Sequence, residues 1–252
     1  MAASKLDLLQ SVLEAAGGLE RFNQVEWIQV VNDVDGLFWA IKGYPGRQTV
    51  SAYVDTKQPR VIFYNLGGRL DDPHLRWIWT PKYLSIERPD GSVVLSREDP
   101  FKHFEGHTLH TPWDDLDLLY FRGYAMWNYL MTPFYFTWPG IRTKEVEEHT
   151  ENGQTWRVLE VTYPDDFATH CRVQRFYYDE RYQLRRLDYA SEVIQGSPVA
   201  HYVYDEKKVD GIMFPMLRRA LNMKNGVGVG RSMVLINFHK ISLKGPQVRS
   251  NL

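Results

Sequence analysis

One segment restricts the fold of this chain more than any other: residues 114–130 form a helical pattern that is apolar on nearly every side. The preceding residues 111–114, TPWD, are typical of a helix start. Large apolar residues follow at spacings of three and four: Leu116, Leu119, Tyr120, Tyr124, Trp127 and Leu130. Because Leu118, Phe121 and Met126 lie off that stripe, we expect the helix to be buried on nearly all sides.

The rest of the chain is dominated by short runs with a period of two, which is typical of β-strands. After a first run that begins at Val25, they cover residues 49–55, 60–65, 75–80, 82–88, 92–97, 143–149, 154–163, 171–178, 184–191, 199–204, 213–220 and 231–243. Type I′ hairpin turns are expected at five dipeptides: Asp35-Gly36, Asp90-Gly91, Asn152-Gly153, Asp210-Gly211 and Asn225-Gly226. This pattern predicts one large antiparallel sheet, which must curl to hide its edges and encloses the helix on its concave side.

A second helix is predicted before the sheet, over residues 4–16. Ser4 is expected to be its N-cap, and Gly17-Gly18 is expected to end it. No linker-like stretch divides the 252 residues. The predicted fold class is therefore α+β, mainly β, with an unclosed curled sheet in a single domain over residues 1–252.

Charge and cysteine content exclude several classes of partner. Lys and Arg number 30 against 31 Asp and Glu, so no overall field favours nucleic acid. The only cysteine, Cys171, excludes an internal disulfide and a Cys-based metal cluster. Charges at Lys5, Asp7 and Glu14 interrupt any signal-peptide core, and no window reaches the ~18 to 20 apolar residues of a membrane span. We therefore expect a cytoplasmic protein without integral membrane association, and the oligomeric state stays open.

No cofactor motif is supported by its context. The stretch NGVGVGR has the wrong glycine spacing for a dinucleotide loop and precedes a predicted strand, and there is no GxSxG elbow or Walker loop. His103, His107 and His110 would share one face only on a continuous helix, which Gly106 and Pro112 disfavour. We therefore expect no cofactor, and ordinary loop histidines in preference to a metal triad.

The polar residues at the start of the apolar helix have two interpretations. Asp114, Asp115 and Asp117 are expected to cap it, because free N–H groups and the helix dipole stabilise carboxylates there. A carboxylate turned inward beside apolar rings would instead have a raised pKa and be a usable acid or base. Asp114, next to Trp113, is the better candidate for that role, although capping is the favoured one.

Within the helix, Arg122 and Asn128 are the most informative residues. A buried polar group without a partner costs about 1–3 kcal/mol, so each of them must meet solvent, a polar network or a ligand. Most of the surrounding aromatic residues are expected to be core. Tyr124 and Trp127, three residues apart on one face, are predicted to be a ligand-facing pair.

Two more histidines lie in predicted strands. His170 is beside Cys171, but adjacent strand residues point to opposite faces, so the two are not expected to form a catalytic dyad. The face that His170 shares with Gln174 is polar enough to meet solvent or a wet cavity. His201 is expected to share a face with Val203.

The order of helix, strands, buried helix and strands resembles the LolA/LolB-like lipoprotein-carrier fold, an unclosed antiparallel barrel wrapped over helices with an apolar cavity. Four segments look like a family of cytoplasmic bacterial proteins that has no established activity: AAGGLERFNQVEWIQV at 15–30, GHTLHTPWDDLDLLYFRGYAMWNYLMTPF at 106–134, PDDFATH at 164–170 and VDGIMFP at 209–215. The resemblance spans almost the whole chain. The sequence departs from it at the glycine-rich C-terminal loop, where the resemblance implies a more polar segment containing proline.

The resemblance also implies a set of site residues. This set is more polar than a cavity that binds only apolar ligands requires. The positions that match its pattern are His107, Thr111, Pro112, Trp113, Asp114, Tyr124, Trp127, Asn128, Tyr129, Pro133, His170 and His201.

Two functions are compatible with these residues. The main prediction is a cofactor-independent enzyme acting on a hydrophobic small molecule, of the isomerase, cyclase or lyase type and suited to secondary metabolism. His107, His170 or His201 would transfer protons, and Asp114 would orient or polarise one of them. The substrate would be held by Trp113, Tyr124, Trp127, Asn128 and Tyr129. The alternative is a lipid or hydrophobic-metabolite carrier with the same cavity and no chemistry.

Overall fold

A computed structural model describes residues 7–70 and 72–245, and within them it contains one 13-stranded sheet and four α-helices. The helices are α1 Leu8–Ala15, α2 Leu19–Asn23, α3 Leu37–Lys42 and α4 Asp115–Met131. The strands are β1 Trp27–Asp35, β2 Gln48–Asp55, β3 Arg60–Tyr64, β4 Arg76–Trp79, β5 Tyr83–Glu87, β6 Val93–Glu98, β7 Arg142–Glu151, β8 Gln154–Thr162, β9 Val173–Tyr178, β10 Leu184–Ala190, β11 Pro198–Val209, β12 Ile212–Lys224 and β13 Val227–Lys244. Short 3-10 helices cover Pro100–Phe104, Phe134–Thr137 and Glu192–Ile194.

The sheet is antiparallel throughout and consists of two meanders that meet in its middle. The strand order is β6-β5-β4-β3-β2-β1-β13-β12-β11-β10-β9-β8-β7. β1 pairs with β13, which joins the first half of the chain to the second, while β6 and β7 are the two edges and do not pair with each other. The sheet is therefore an unclosed barrel, as the sequence predicts.

α4 connects the two edges of the sheet and lies inside it. All 17 of its residues are buried, which confirms the prediction from its apolar periphery. Asp114 is its N-cap: the carboxylate accepts a hydrogen bond from the Asp117 backbone N–H at 2.8 Å, and Asp117 accepts one from the Asp114 backbone N–H at 3.2 Å. This reciprocal capping box confirms the capping role of Asp114.

The contact between α4 and β4 explains the glycine in the middle of the helix. A Cβ added at Gly123 would lie 2.1 Å from Cγ of Trp79, and the Trp79 side chain is completely buried. Only glycine lets the helix backbone approach the indole this closely.

Helices near the N-terminus differ in part from the prediction. α1 begins at Leu8 and its N-cap is Asp7, whose side chain accepts a hydrogen bond from the Leu9 N–H. The predicted cap, Ser4, lies outside the described residues. No helix in the described part of the chain is both long and apolar enough to cross a membrane.

The turn predictions are mostly confirmed. Both residues have a positive φ at Asn152-Gly153, Asp210-Gly211 and Asn225-Gly226, whereas at Asp90-Gly91 only the glycine does. The hairpin at Asp35-Gly36 is wrong, because Gly36 instead precedes α3, and β1 and β2 pair on either side of that helix. The physical reason is the apolar pair Phe38 and Trp39, which α3 inserts into the core.

Candidate functional site

An apolar cavity lies between α4 and the inner face of the sheet. Its volume is about 30 Å³, and we call it the inner cavity. Among its lining residues are Trp39 of α3, Phe121, Ala125 and Tyr129 of α4, Tyr189 of β10 and Val234 of β13. The only charged side chain in its lining, as far as the described residues go, is Arg122 of α4. The inner cavity has the apolar lining of a small-molecule site, but it has room for only a few water molecules unless its walls move apart.

A wider pocket that is open to the surface lies beside this cavity. It has a volume of about 540 Å³ and shares Phe121, Tyr189 and Val234 with the inner cavity; we call it the mouth. Its rim is more polar, with residues of the segment 191–197 and Asn222 of β12. The mouth is therefore separated from the inner cavity only by side chains that line both of them.

A buried cluster of tyrosines and histidines packs behind the wall of the inner cavity. Hydrogen bonds join Nδ1 of His170 to the Tyr124 hydroxyl at 3.1 Å and Nε2 to the Tyr129 hydroxyl at 2.7 Å. The ring of Tyr189 stacks on the imidazole with centroids 3.8 Å apart. His201 completes this histidine–tyrosine cluster, with its Nδ1 3.3 Å from the Tyr189 hydroxyl and its Nε2 without a partner in the described structure.

Burial keeps the histidine–tyrosine cluster neutral. It lowers the pKa of His170 to about 3. It also lowers the pKa of His201 well below the ordinary value, helped by the nearby positive charge of Arg218. Desolvation raises the pKa of the Tyr129 hydroxyl to about 12. Near neutral pH the cluster therefore contains neutral imidazoles and phenols, which donate and accept hydrogen bonds.

Two buried arginines accompany this region, and neither forms an ion pair with a carboxylate of the described residues. The guanidinium of Arg122 donates to the Leu66 carbonyl and the Gln48 side-chain oxygen. Arg218 of β12 donates to the Tyr129 carbonyl at 3.2 Å and lies over the Tyr129 ring. Burial lowers the pKa of Arg122 to about 9 and that of Arg218 to about 10.

The predicted site residues fall into separate places. The structure brings Tyr124, Tyr129, His170 and His201 together, but it places His107 and Asp114 elsewhere, near the start of α4. The carboxylate of Asp114 forms an ion pair with Arg97 at 2.6 Å. Although partial burial opposes it, this arginine holds the Asp114 pKa below its ordinary value, which is the opposite of what a general acid needs. Trp113 is also buried near the start of α4, where the ammonium of Lys42 lies over its ring.

The histidine triad that the sequence disfavours is only partly assembled. Ligand atoms of His103, His107 and Asp117 all lie within 4.8 Å of one another, and His110 is not part of that group. However, one oxygen of Asp117 already accepts hydrogen bonds from Arg97 and from Nδ1 of His103, both at 2.8 Å. These hydrogen bonds hold His103 and Asp117 together, whereas Nδ1 of His107 has no partner among the described residues.

Trp127 and Asn128 hold the structure around α4 and do not line the inner cavity. Trp127 donates its indole N–H to the Asp55 carbonyl at 3.0 Å and packs against Tyr135. Asn128 donates to the carbonyls of Tyr124 at 2.7 Å and Ala168 at 2.9 Å. The second bond ties the segment before His170 to the helix, so Asn128 positions the histidine–tyrosine cluster.

Several residues of this region are absent from the sequence-based prediction, notably Trp39, Tyr189 and Arg218. Arg218 had a usable signal, because it shares the inward face of β12 with Phe214, Met216 and Ala220. A charged residue in that alternation indicates a special environment. Trp39 had none, since the sequence predicts no element between the Asp35-Gly36 turn and the strand that begins at residue 49.

Comparisons with family models and with curated proteins find no match. Among similar solved structures is a LolA superfamily protein from Nitrosomonas europaea, with 12% identity and a TM-score of 0.52 over 94% of this chain and 93% of that one. A DUF1329 family protein from Desulfovibrio piger has 13% identity and a TM-score of 0.51 over 94% of both chains. A Vibrio parahaemolyticus domain named for outer membrane lipoprotein sorting has 12% identity and a TM-score of 0.52 over 97% of this chain and 94% of that one. These likenesses span nearly all of each chain, and they show that this chain has the LolA-like fold.

Proposed function

We propose that this protein binds a hydrophobic small molecule, such as a lipid chain, in the inner cavity. The observation that carries the proposal is the apolar lining of that cavity together with the larger mouth beside it, which shares three of its lining residues. Moving an apolar chain out of water is favourable by about 25 cal/mol per Å² buried, and this gain offsets the separation of the cavity walls that a bound chain requires.

Binding without chemistry is better supported than the acid–base enzyme predicted from the sequence. Both ring nitrogens of His170 are already hydrogen-bonded to tyrosine hydroxyls. His107 and Asp114 lie apart from it, near the start of α4. A general base needs a free nitrogen within reach of the substrate, and although Nε2 of His201 is free, His201 does not line the inner cavity or the mouth. The fold likeness to a domain named for lipoprotein sorting also favours a carrier, and we therefore propose a binding or carrier protein.

Filling the inner cavity is expected to abolish most of this binding. Ala125 lines the cavity from α4, so Ala125→Leu places three additional carbon atoms in the space that the ligand needs. The affinity for the neutral fluorescent probe Nile red is expected to fall by about tenfold or more, which corresponds to about 1.4 kcal/mol. Fluorescence titration of the wild type and the variant measures the effect.

The matched control is Ala40→Leu, which makes the same change on an exposed position of α3. It should bind Nile red as the wild type does. An Ala125→Leu variant that folds and retains wild-type affinity would show that the probe binds elsewhere, and a wild type that does not bind Nile red would contradict the proposed function.

A further inference from the structure

Arg122 is a buried cation that has no counter-ion among the described residues. It lies in the middle of α4 with only 5% of its surface exposed. Its two hydrogen-bond acceptors, the Leu66 carbonyl and the Gln48 side-chain oxygen, are both neutral. A charge removed from water without an opposite charge nearby is unfavourable, so this position requires an explanation.

Two other buried arginines meet this requirement differently: Arg218 donates to a neutral carbonyl, as Arg122 does, whereas Arg186 has carboxylate partners. Arg186 of β10 is also almost completely buried, but it donates to Glu151 at 2.6 Å and to the Asp188 carboxylate at 2.6 and 2.8 Å. Arg122 has no such carboxylate among the described residues. Unlike Arg186 and Arg218, Arg122 borders the inner cavity, where a ligand can provide an opposite charge.

Unused hydrogen-bond donors occur next to this charge. Nε of Arg122 and Nε1 of Trp39 are both buried and both without an acceptor in the described structure. The guanidinium carbon lies 4.3 Å from the centre of a Trp39 ring, so the two side chains are in contact. Both residues line the inner cavity. Two adjacent donors without acceptors, one of them charged, are suited to an oxyanion.

We propose that the ligand of the inner cavity is an amphiphile with a single anionic head group, of the long-chain carboxylate type, and that Arg122 and Trp39 bind this head group. The inference rests on the proposed function and specifies its ligand class. One positive charge in the lining balances one negative charge, whereas a dianionic phosphate ester would leave an excess charge in an apolar site. The surrounding aromatic and aliphatic residues then hold the chain.

The test compares two ligands that differ only in the head group. Binding of dodecanoate and 1-dodecanol is measured at pH 8, below their aggregation concentrations, by displacement of Nile red. The wild type is expected to prefer dodecanoate by about tenfold or more, because the charged head group gains a charge-assisted hydrogen bond. Arg122→Met should remove this preference while 1-dodecanol binds as before. Arg175→Met, at an exposed arginine of β9, is the matched control and should keep the wild-type preference.

Each outcome has a distinct meaning. If the wild type binds Nile red but prefers neither ligand, or if Arg122→Met keeps the preference, the head-group inference is overturned and the apolar binding site stands. If the wild type binds none of the three compounds, the proposed function itself fails. Should Arg122→Met not fold, Trp39→Phe removes the second donor and keeps an aromatic ring; an unchanged preference for dodecanoate in that variant overturns the inference. Dodecyl phosphate binding more tightly than dodecanoate would overturn the monoanion assignment.

Discussion

Lowering the pH from 7 to 5 is expected to reduce the free energy of unfolding by about 2 kcal/mol through His170 alone. Burial holds the pKa of this imidazole at about 3 in the folded protein, compared with 6.5 for an exposed histidine. Below pH 6.5 the unfolded chain binds a proton that the folded protein does not. The stabilisation is therefore complete above pH 6.5 and is lost as the pH falls towards 3. Burial of His201 acts in the same direction.

Urea denaturation between pH 5 and pH 8 measures this dependence. His170→Gln should be less stable than the wild type at pH 7, because two buried tyrosine hydroxyls lose their partner. Its loss of stability between pH 7 and pH 5 should nevertheless be smaller than in the wild type, by about 2 kcal/mol. His74→Gln, at an exposed position before β4, is the control and should lose as much stability between pH 7 and pH 5 as the wild type does. If His170→Gln loses as much stability between pH 7 and pH 5 as the wild type, this account of the histidine–tyrosine cluster is contradicted.

Replacing Arg186 by methionine is expected to lower the free energy of unfolding by about 3–5 kcal/mol. This side chain holds two carboxylates, those of Glu151 and Asp188, and also donates to the Gly226 carbonyl at 2.8 Å. Removing it leaves Glu151, which is 8% exposed, as a buried charge without its guanidinium partner. The loss of this charge pairing dominates the effect, and chemical denaturation measures it.

The same substitution at an exposed ion pair provides the control. Arg175 pairs with Glu160 at 3.1 Å, and more than half of its side chain is exposed. Because solvent screens such a pair, Arg175→Met should cost only about 1 kcal/mol or less. If Arg186→Met and Arg175→Met lower the free energy of unfolding equally, burial does not add to the stabilisation by the Arg186 ion pairs.

The fold was predictable because its main elements leave strong local signals. The apolar periphery of residues 114–130 allows only a buried helix, and the alternation in the flanking strands allows only a sheet with one buried face. The Asp114 cap also has a local signal, since an acidic residue followed three positions later by Asp117 is close to a capping box. The error at Asp35-Gly36 arose because a turn dipeptide does not show how the next residues pack.

The candidate site was less predictable because it depends on contacts between distant parts of the chain. His170 and Tyr129 are 41 residues apart and meet only because the segment before β9 folds against α4. In the same way, nothing local in Trp39 indicates that α3 places it against Arg122. Sequence alone identified the polar residues of α4 as unusual, and the pairing of each one required the structure.

A crystal structure with bound 12-bromododecanoate tests the central claim most directly. The anomalous signal of the bromine locates the end of the chain independently of the quality of the remaining density. The proposal predicts that the chain lies between α4 and β13, in contact with Ala125 and Val234 of the inner cavity. A chain bound only on the outer surface of the sheet, with the inner cavity unchanged, would contradict it.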